Sequence, residues 1–380
     1  MIRRVATVAL DLRLLSISAK ENRGTGKVAR GILEGLAKLP EDAGLRFLAL
    51  VVRGQAFKPP NGLFEPIVVP WTYGDPIWGG YFRELRRTGA FLRELAPDLY
   101  HSPEFFCPIG FRGPMVVTVN DCYPYPAFGP FQAFGRRFGW SWHPRFRLRY
   151  AAIWRLLRRR TTLLAPISMT TGKAVAKRHP SLADRICPIP LALDDCWFQP
   201  PAEEADRIRS RLELTRPLLI HVGGLEIQKN PEAIFEVFRN LRKRMPTATL
   251  VSVGPPQVSR PVEPGIRYLG HVDIETLRSL YAAADLLLYP SFLEGFGLPV
   301  QEAQAMGCPV VTSRGTATEE VAGGRARLVD PFDREQILRA VEETLEAPRP
   351  APRRDIRRWS DVGRDYASLY RDQLAEARGA

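Results

Sequence analysis

The chain has 380 residues, more than one hydrophobic core usually supports, so two domains of ordinary size are expected. Hydrophobic residues make up 45% and charged residues 25%, the balance of a soluble globular protein, which excludes wholesale disorder. A net charge of +13 with a pI near 9.8 points to an anionic partner among nucleic acid, an acidic membrane surface or a phosphorylated ligand, and does not choose among them.

The five cysteines, Cys107, Cys122, Cys187, Cys196 and Cys308, are odd in number and include no Cys-x-x-Cys pair. They suggest neither a disulfide framework nor a zinc site, so reduced, mostly structural thiols of a cytosolic protein are expected. MIRRVATVALDLRLL opens with charge and an apolar run, but Asp11 and Arg13 cut the run short. It reads as a first strand rather than a signal peptide. No apolar segment reaches the roughly 18 residues of a membrane span.

Short apolar runs alternate with amphipathic segments from end to end, the pattern of a parallel sheet wrapped by helices. In chain order, VATVALD, LRFLALVV, PIVVP, LYHS, PMVVTVN and TLLAPIS are predicted strands of a first half. PLLIHVGG, ATLVSVG, IRYLG, LLLYPS, PVVTS and ARLVD are those of a second. Two doubly wound α/β units follow. The change of texture in ICPIPLALDDCWFQPPAEE places the boundary near Asp195, and the proline-rich EAPRPAPRRD isolates a last helix around Trp359 to Leu374. In that helix Val362, Tyr366, Leu369 and Tyr370 share one face, which should be buried. The expected domains are 1–195 with 356–380, and 196–355.

Between residues 135 and 160 the chain carries many arginines and no acid. Tyr150, Ile153, Trp154 and Leu157 fall on one helical face, with Arg147, Arg149, Arg155, Arg158 and Arg159 elsewhere. Two readings stay open: a helix packing its stripe on its own sheet, or one resting on anionic lipid.

Doubly wound domains place ligands at the carboxyl ends of strands, so the loops there carry the chemistry. After VALD, Gly24, Thr25 and Gly26 flank the start of a helix, whose N-terminus favours negative charge. After LLIHV come Gly223, Gly224 and Lys229, then Asn230 and Pro231 as N-cap and first helical residue. A lysine beside a positive helix end conflicts with the macrodipole unless lysine and amides share an anion such as a diphosphate. After LLLYPS, Glu294 leads into Gly295, Phe296, Gly297 and Leu298, and Pro299 starts a helix containing Glu302. Two carboxylates with freed amides between them suit hydroxyl-rich or anionic ligands.

The run E-G-F-G-L-P-V-Q-E resembles the E-x7-E element of retaining glycosyltransferases of family GT4, which have the GT-B fold. DLRLL with RGTGKVARGIL, LYHSPEFFCP, VVTVNDCYP, LIHVGGLEIQKN, IRYLGHVDIETLRSLYAAADLLLYPS and GTATEEVAGGRARLVDP extend the resemblance over nearly the whole chain, more specifically in the C-terminal half. It implies two Rossmann-like domains facing across a cleft, the first for the acceptor and the second for the nucleotide-sugar, with the last helix crossing back to the first.

By the same resemblance, Glu302 holds ribose hydroxyls, Glu294 and the Gly295 to Leu298 backbone hold the sugar, and Lys229 meets the phosphates. Similar enzymes carry a His-Asp pair where this sequence has Asn120 and Asp121. Asparagine can hydrogen-bond a sugar hydroxyl but cannot act as a base at neutral pH. Many relatives carry arginine at Gly224, which places more of the phosphate binding on Lys229 and amides here. Glu294, Lys229, Asn120 and Asp121 are thus the candidate catalytic residues.

No cofactor and no metal is expected, since no Asp-x-Asp or histidine cluster offers a site. The resemblance implies a glycan or lipid-linked acceptor; no nucleic acid is expected as partner, and a cytoplasmic protein is expected, with 135–160 the candidate for peripheral contact with anionic membrane. Mannose from a GDP donor is suggested because HSPEFFCP and VVTVND look most like mannosyl- or rhamnosyltransferases of surface-polysaccharide pathways. The aromatic segments WTYGDPIWGGYF (from Trp71) and YPYPAFGPFQAFG (from Tyr123) are candidates to meet the acceptor. The rivals are a nucleotide-sugar epimerase or phosphorylase on the same fold, and a basic RNA- or membrane-binding homologue without activity.

Overall fold

The computed structural model describes residues 5–16, 24–71, 80–120, 144–158, 162–201, 204–255 and 263–379. Within them the chain forms two compact units, one comprising residues up to 120 with 144–192 and 357–379, the other residues 193–356.

The first unit runs β1 (Ala6–Asp11), α1 (Gly24–Ala37), β2 (Leu45–Val52), β3 (Phe64–Val69), α2 (Gly80–Leu95), β4 (Leu99–Ser102), β5 (Met115–Val119), α3 (Pro144–Arg158), β6 (Thr162–Pro166) and α4 (Met169–Arg178). Its six strands are all parallel, in the order β3-β2-β1-β4-β5-β6. The second unit runs α5 (Ala205–Arg211), β7 (Leu218–Val222), α6 (Pro231–Arg244), β8 (Thr249–Val253), β9 (Ile266–Gly270), α7 (Ile274–Ala283), β10 (Leu286–Tyr289), α8 (Leu298–Ala305), β11 (Val310–Ser313), α9 (Ala317–Ala322), β12 (Arg327–Val329) and α10 (Arg334–Glu346). Its order, β12-β11-β10-β7-β8-β9, repeats the wiring of the first, again all parallel.

Every predicted strand is present, because buried parallel strands are read as unbroken apolar runs. The residues of β5, β7, β8, β10 and β11 are buried throughout. In the second unit the apolar face of α6, including Ile234, Phe235, Phe238 and Leu241, closes over β7, β8 and β10. Sheet growth reverses between β1 and β4 in one unit and between β7 and β10 in the other. Those two points part the flanking loops and set where a ligand can sit.

The last helix, α11 (Trp359–Gly379), packs within the first unit. Val362, Tyr366 and Tyr370 are buried, while Leu369 is only half-buried. Small residues let α11 and α1 touch backbone to backbone. A Cβ on Gly35 would lie 2.2 Å from the Trp359 carbonyl oxygen, and one on Gly363 would lie 2.1 Å from that of Gly35. Beneath this crossing, Tyr370 and Thr118 bond the two ring nitrogens of His101 at 2.6 and 2.9 Å, and Thr118 also bonds Tyr366 at 2.8 Å. Burial pushes the His101 pKa down to about 3, so the ring is neutral.

In α3, Ile153, Trp154 and Leu157 are buried, with Trp154 between the rings of Phe105 and His179 at 4.8 and 4.2 Å. Arg155 and Arg158 are exposed. Of the two readings of this segment, packing accounts for those three side chains. Arg159, and residues 135–143, lie outside the described residues, as do Asp121, Cys122, most of the segment after Trp71 and the whole of that from Tyr123. Among the described residues no helix is long and apolar enough to cross a membrane.

Candidate active site

The loop leaving β7 has to turn sharply, and Gly223 and Gly224 do so at φ +119° and +78°. Gly254, after β8, presses against it: a Cβ there would lie 2.4 Å from the Gly224 nitrogen. His221, buried in β7, bonds the Gly224 carbonyl through Nε2 at 2.9 Å, and burial lowers its pKa, keeping it neutral. A single turn, Ile227–Lys229, then aims Lys229 back across the strand ends.

Asn230 follows in a left-handed conformation, φ +59°. It stands at the N-cap position of α6 but makes no side-chain cap, which corrects the capping expected of it. Its amide instead donates to the carbonyls of Pro290 and Pro331 at 3.1 and 2.7 Å. Phe292 N–H also donates to the Gln228 carbonyl at 2.8 Å. The loops after β7 and β10 are thereby sewn together at the point where the sheet reverses.

Across that point Lys229 Nζ donates to Glu294 Oε1 at 2.7 Å and to the Tyr289 hydroxyl at 2.7 Å. The lysine and glutamate side chains are 16% and 11% exposed, so the pair is reachable yet mostly out of water. Tyr289 ends β10 and is fully buried. Burial, then the neighbouring Glu294 charge, raises its pKa well above the usual tyrosine value, so its hydroxyl keeps its proton.

Gly297, at φ +105°, sits where a Cβ would lie 2.7 Å from the Thr318 methyl carbon, and it opens α8 at Leu298. Phe296 is buried in this loop. Glu302 is the fifth residue of α8, past the first turn, where no acid lies. It is 3% exposed and accepts from the Tyr281 hydroxyl at 3.1 Å. Lys229, Glu294 and the start of α8 therefore share one end of the sheet, with Glu302 one helical turn deeper. A cavity of about 400 Å³ lined by Arg216, Asp285, Pro309 and Arg349 lies before the first residues of β7, β10 and β11, at the opposite strand ends.

In the first unit, Gly24, Thr25 and Gly26 are themselves the first turn of α1 rather than a loop before it. Gly24 has open space where a Cβ would go. After β5, Asn120 donates through Nδ2 to the Pro103 carbonyl at 3.0 Å, while its buried Oδ1 has no partner among the described residues. At the reversal of this sheet Arg13 is buried against Asp11, with Nε–Oδ1 at 2.8 Å and Nη2–Oδ2 at 2.6 Å, and bonds Glu84 at 2.5 Å. Tyr100 and Trp71 complete the set through Asp11 and Glu84. Burial pushes the Asp11 carboxyl up, but the Arg13 guanidinium outweighs it and holds the pKa below the usual value.

The sequence marked Asp11 and Arg13 only as a break in an apolar run, and gave no signal for Tyr281 or Tyr289, which read as core. Among the described residues no group of three or more His, Cys, Asp and Glu side chains is gathered.

Residues 216–347, which hold Lys229, Glu294 and Glu302, match the family model described as Glycosyl transferases group 1. The chain carries a group 1 glycosyltransferase domain. It is 29% identical over 275 residues to O-antigen chain mannosyltransferase B of Escherichia coli, spanning 69% of this chain and 68% of that one. With MMP alpha-(1->4)-mannosyltransferase of Mycolicibacterium hassiacum it shares 31% over 191 residues, 47% of this chain and 43% of the relative. Among solved structures, sucrose-phosphate synthase from Thermosynechococcus elongatus superposes with a TM-score of 0.68 at 19% identity, over 98% of this chain and 100% of that one. WaaG, a glycosyltransferase involved in lipopolysaccharide biosynthesis, does so at 0.65 and 18%, over 97% and 98%. The chain has the GT-B fold of these neighbours.

Proposed function

We propose that this glycosyltransferase moves a sugar from a nucleotide-sugar donor to a glycan or lipid-linked acceptor with retention at the anomeric carbon. The observation that supports it most is the Lys229–Glu294 pair at the reversal point of the second sheet, with the start of α8 beside it. Mannose as the sugar follows the relatives whose names say mannosyltransferase.

In this reading Lys229 and the amides opening α8 take the donor diphosphate and absorb the charge that develops as the glycosidic bond breaks. Fixed charges of this kind, in a site short of water, stabilise a transition state without reorganising. They supply what a divalent cation would otherwise supply, so no metal is needed. Glu294 accepts from sugar hydroxyls and Glu302 from those of the ribose. The acceptor enters on the face the diphosphate leaves, and its proton passes to the departing oxygen. No glutamate forms a covalent bond to the sugar, unlike the nucleophile of a retaining hydrolase. Asn120 Oδ1, without a partner among the described residues, accepts from a hydroxyl.

The test is a set of UDP-, GDP-, ADP- and dTDP-sugars offered with oligosaccharide acceptors, with the product linkage read by NMR. Transfer with the donor's anomeric configuration kept supports the reading, and an inverted product contradicts it.

A further inference from the structure

Lys229 and Glu294 satisfy one another at 2.7 Å, yet the proposed reading assigns them to different ends of one donor. A diphosphate that claims the lysine and sugar hydroxyls that claim the glutamate must compete with this ion pair. The Tyr289 hydroxyl accepts from Lys229 at 2.7 Å, and the same ammonium group donates to Glu294 at 2.7 Å, so the hydroxyl and the carboxylate flank one cation. Kept protonated by its burial, the hydroxyl meets the lysine as a neutral acceptor. Tyr289 is also the last residue of β10, fully buried and paired with β11, so its ring cannot follow either partner.

We propose that Tyr289 is the positioning residue of the donor site, holding Lys229 in place beside Glu294 while each exchanges the other for its part of the donor. Two side chains on loops would otherwise swing apart once their mutual attraction is taken over by ligand. A fixed hydroxyl on the lysine keeps both within reach of adjacent groups of a single ligand, a sugar bonded to a diphosphate. This rests on the donor reading above, and it adds a residue that touches no substrate itself.

Tyr289→Phe removes the hydroxyl and keeps the ring. Calorimetric titration of UDP, GDP, ADP and dTDP into the wild type selects the diphosphate that binds. The variant is expected to bind it about tenfold more weakly or worse, the worth of a hydrogen bond to a charged group. Its melting temperature without nucleotide should stay within about 3 °C of wild type. In a Lys229→Ala background the same change is expected to add less than about twofold, because the lysine through which it acts is gone. Equal affinity of wild type and Tyr289→Phe overturns the role of the tyrosine alone, as does an undiminished effect in the Lys229→Ala background. Failure of every diphosphate to bind the wild type overturns the donor reading and this proposal with it.

Discussion

Lys229 and Glu294 stand 65 positions apart in the chain and meet because β7 and β10 are neighbours where the sheet reverses. Each neutralises a charge that is mostly shielded from water, so removing one strands the other. Lys229→Ala is expected to cost about 1–3 kcal/mol of stability, read by denaturant unfolding. It should also lower kcat/KM about 100-fold or more, since the cation that meets the leaving group is lost. Glu302→Gln leaves the helix intact and weakens donor binding about tenfold, seen as a raised KM with kcat nearly unchanged, if its part is ribose binding. Both glutamates and the lysine were legible in the sequence, because glycines and a helix start flank them. The two tyrosines that bond them were not: LLLY and LRSLYAA read as buried strand and helix, and burial is what they show. Only the sheet order brings their hydroxyls to these side chains.

At the scale of elements, the crossing of α1 and α11 depends on glycines that sequence alone leaves as ordinary helix residues. Exposed Gly→Ala changes in helices gain roughly 0.5–1 kcal/mol. Gly35→Ala should instead destabilise by about 1–3 kcal/mol, because a Cβ 2.2 Å from the Trp359 carbonyl forces two backbones apart. Gly24→Ala, with open space around it, is the contrasting control and should be within about 0.5 kcal/mol of wild type. The same crossing covers His101, whose folded pKa of about 3 lies below the usual 6.5. Protonation therefore favours the unfolded chain. The stability from keeping this ring neutral is complete above pH 6.5. It is lost at about 1.4 kcal/mol per pH unit as pH falls from there toward 3. His101→Gln should lower stability at pH 7 and flatten its acid dependence, measured by chemical unfolding at pH 7, 5.5 and 4.5. The apolar runs made all twelve strands legible, since continuous hydrophobic segments between helices have few other uses. The helix-to-helix contact was not, because it joins residues more than 300 positions apart.

Over the whole molecule, the repeat of one strand order in both units gives each its own ligand end, and the second carries the group 1 glycosyltransferase match. The surplus of positive charge did not identify the partner. Arg13 shows why: it is a basic residue wholly spent inside the protein, on Asp11 and Glu84. In α3 the apolar residues Ile153, Trp154 and Leu157 are likewise spent on packing, though their spacing alone also suited a lipid surface. The most direct test is to measure melting temperature with and without each nucleotide-sugar, for the wild type and Lys229→Ala side by side. A donor at 100 times its dissociation constant adds about 2.7 kcal/mol. At least one nucleotide-sugar should raise the wild-type melting temperature by several degrees and leave Lys229→Ala nearly unmoved. An equal rise in both proteins, or none in the wild type with any donor, would contradict a sugar-diphosphate site at the Lys229–Glu294 pair.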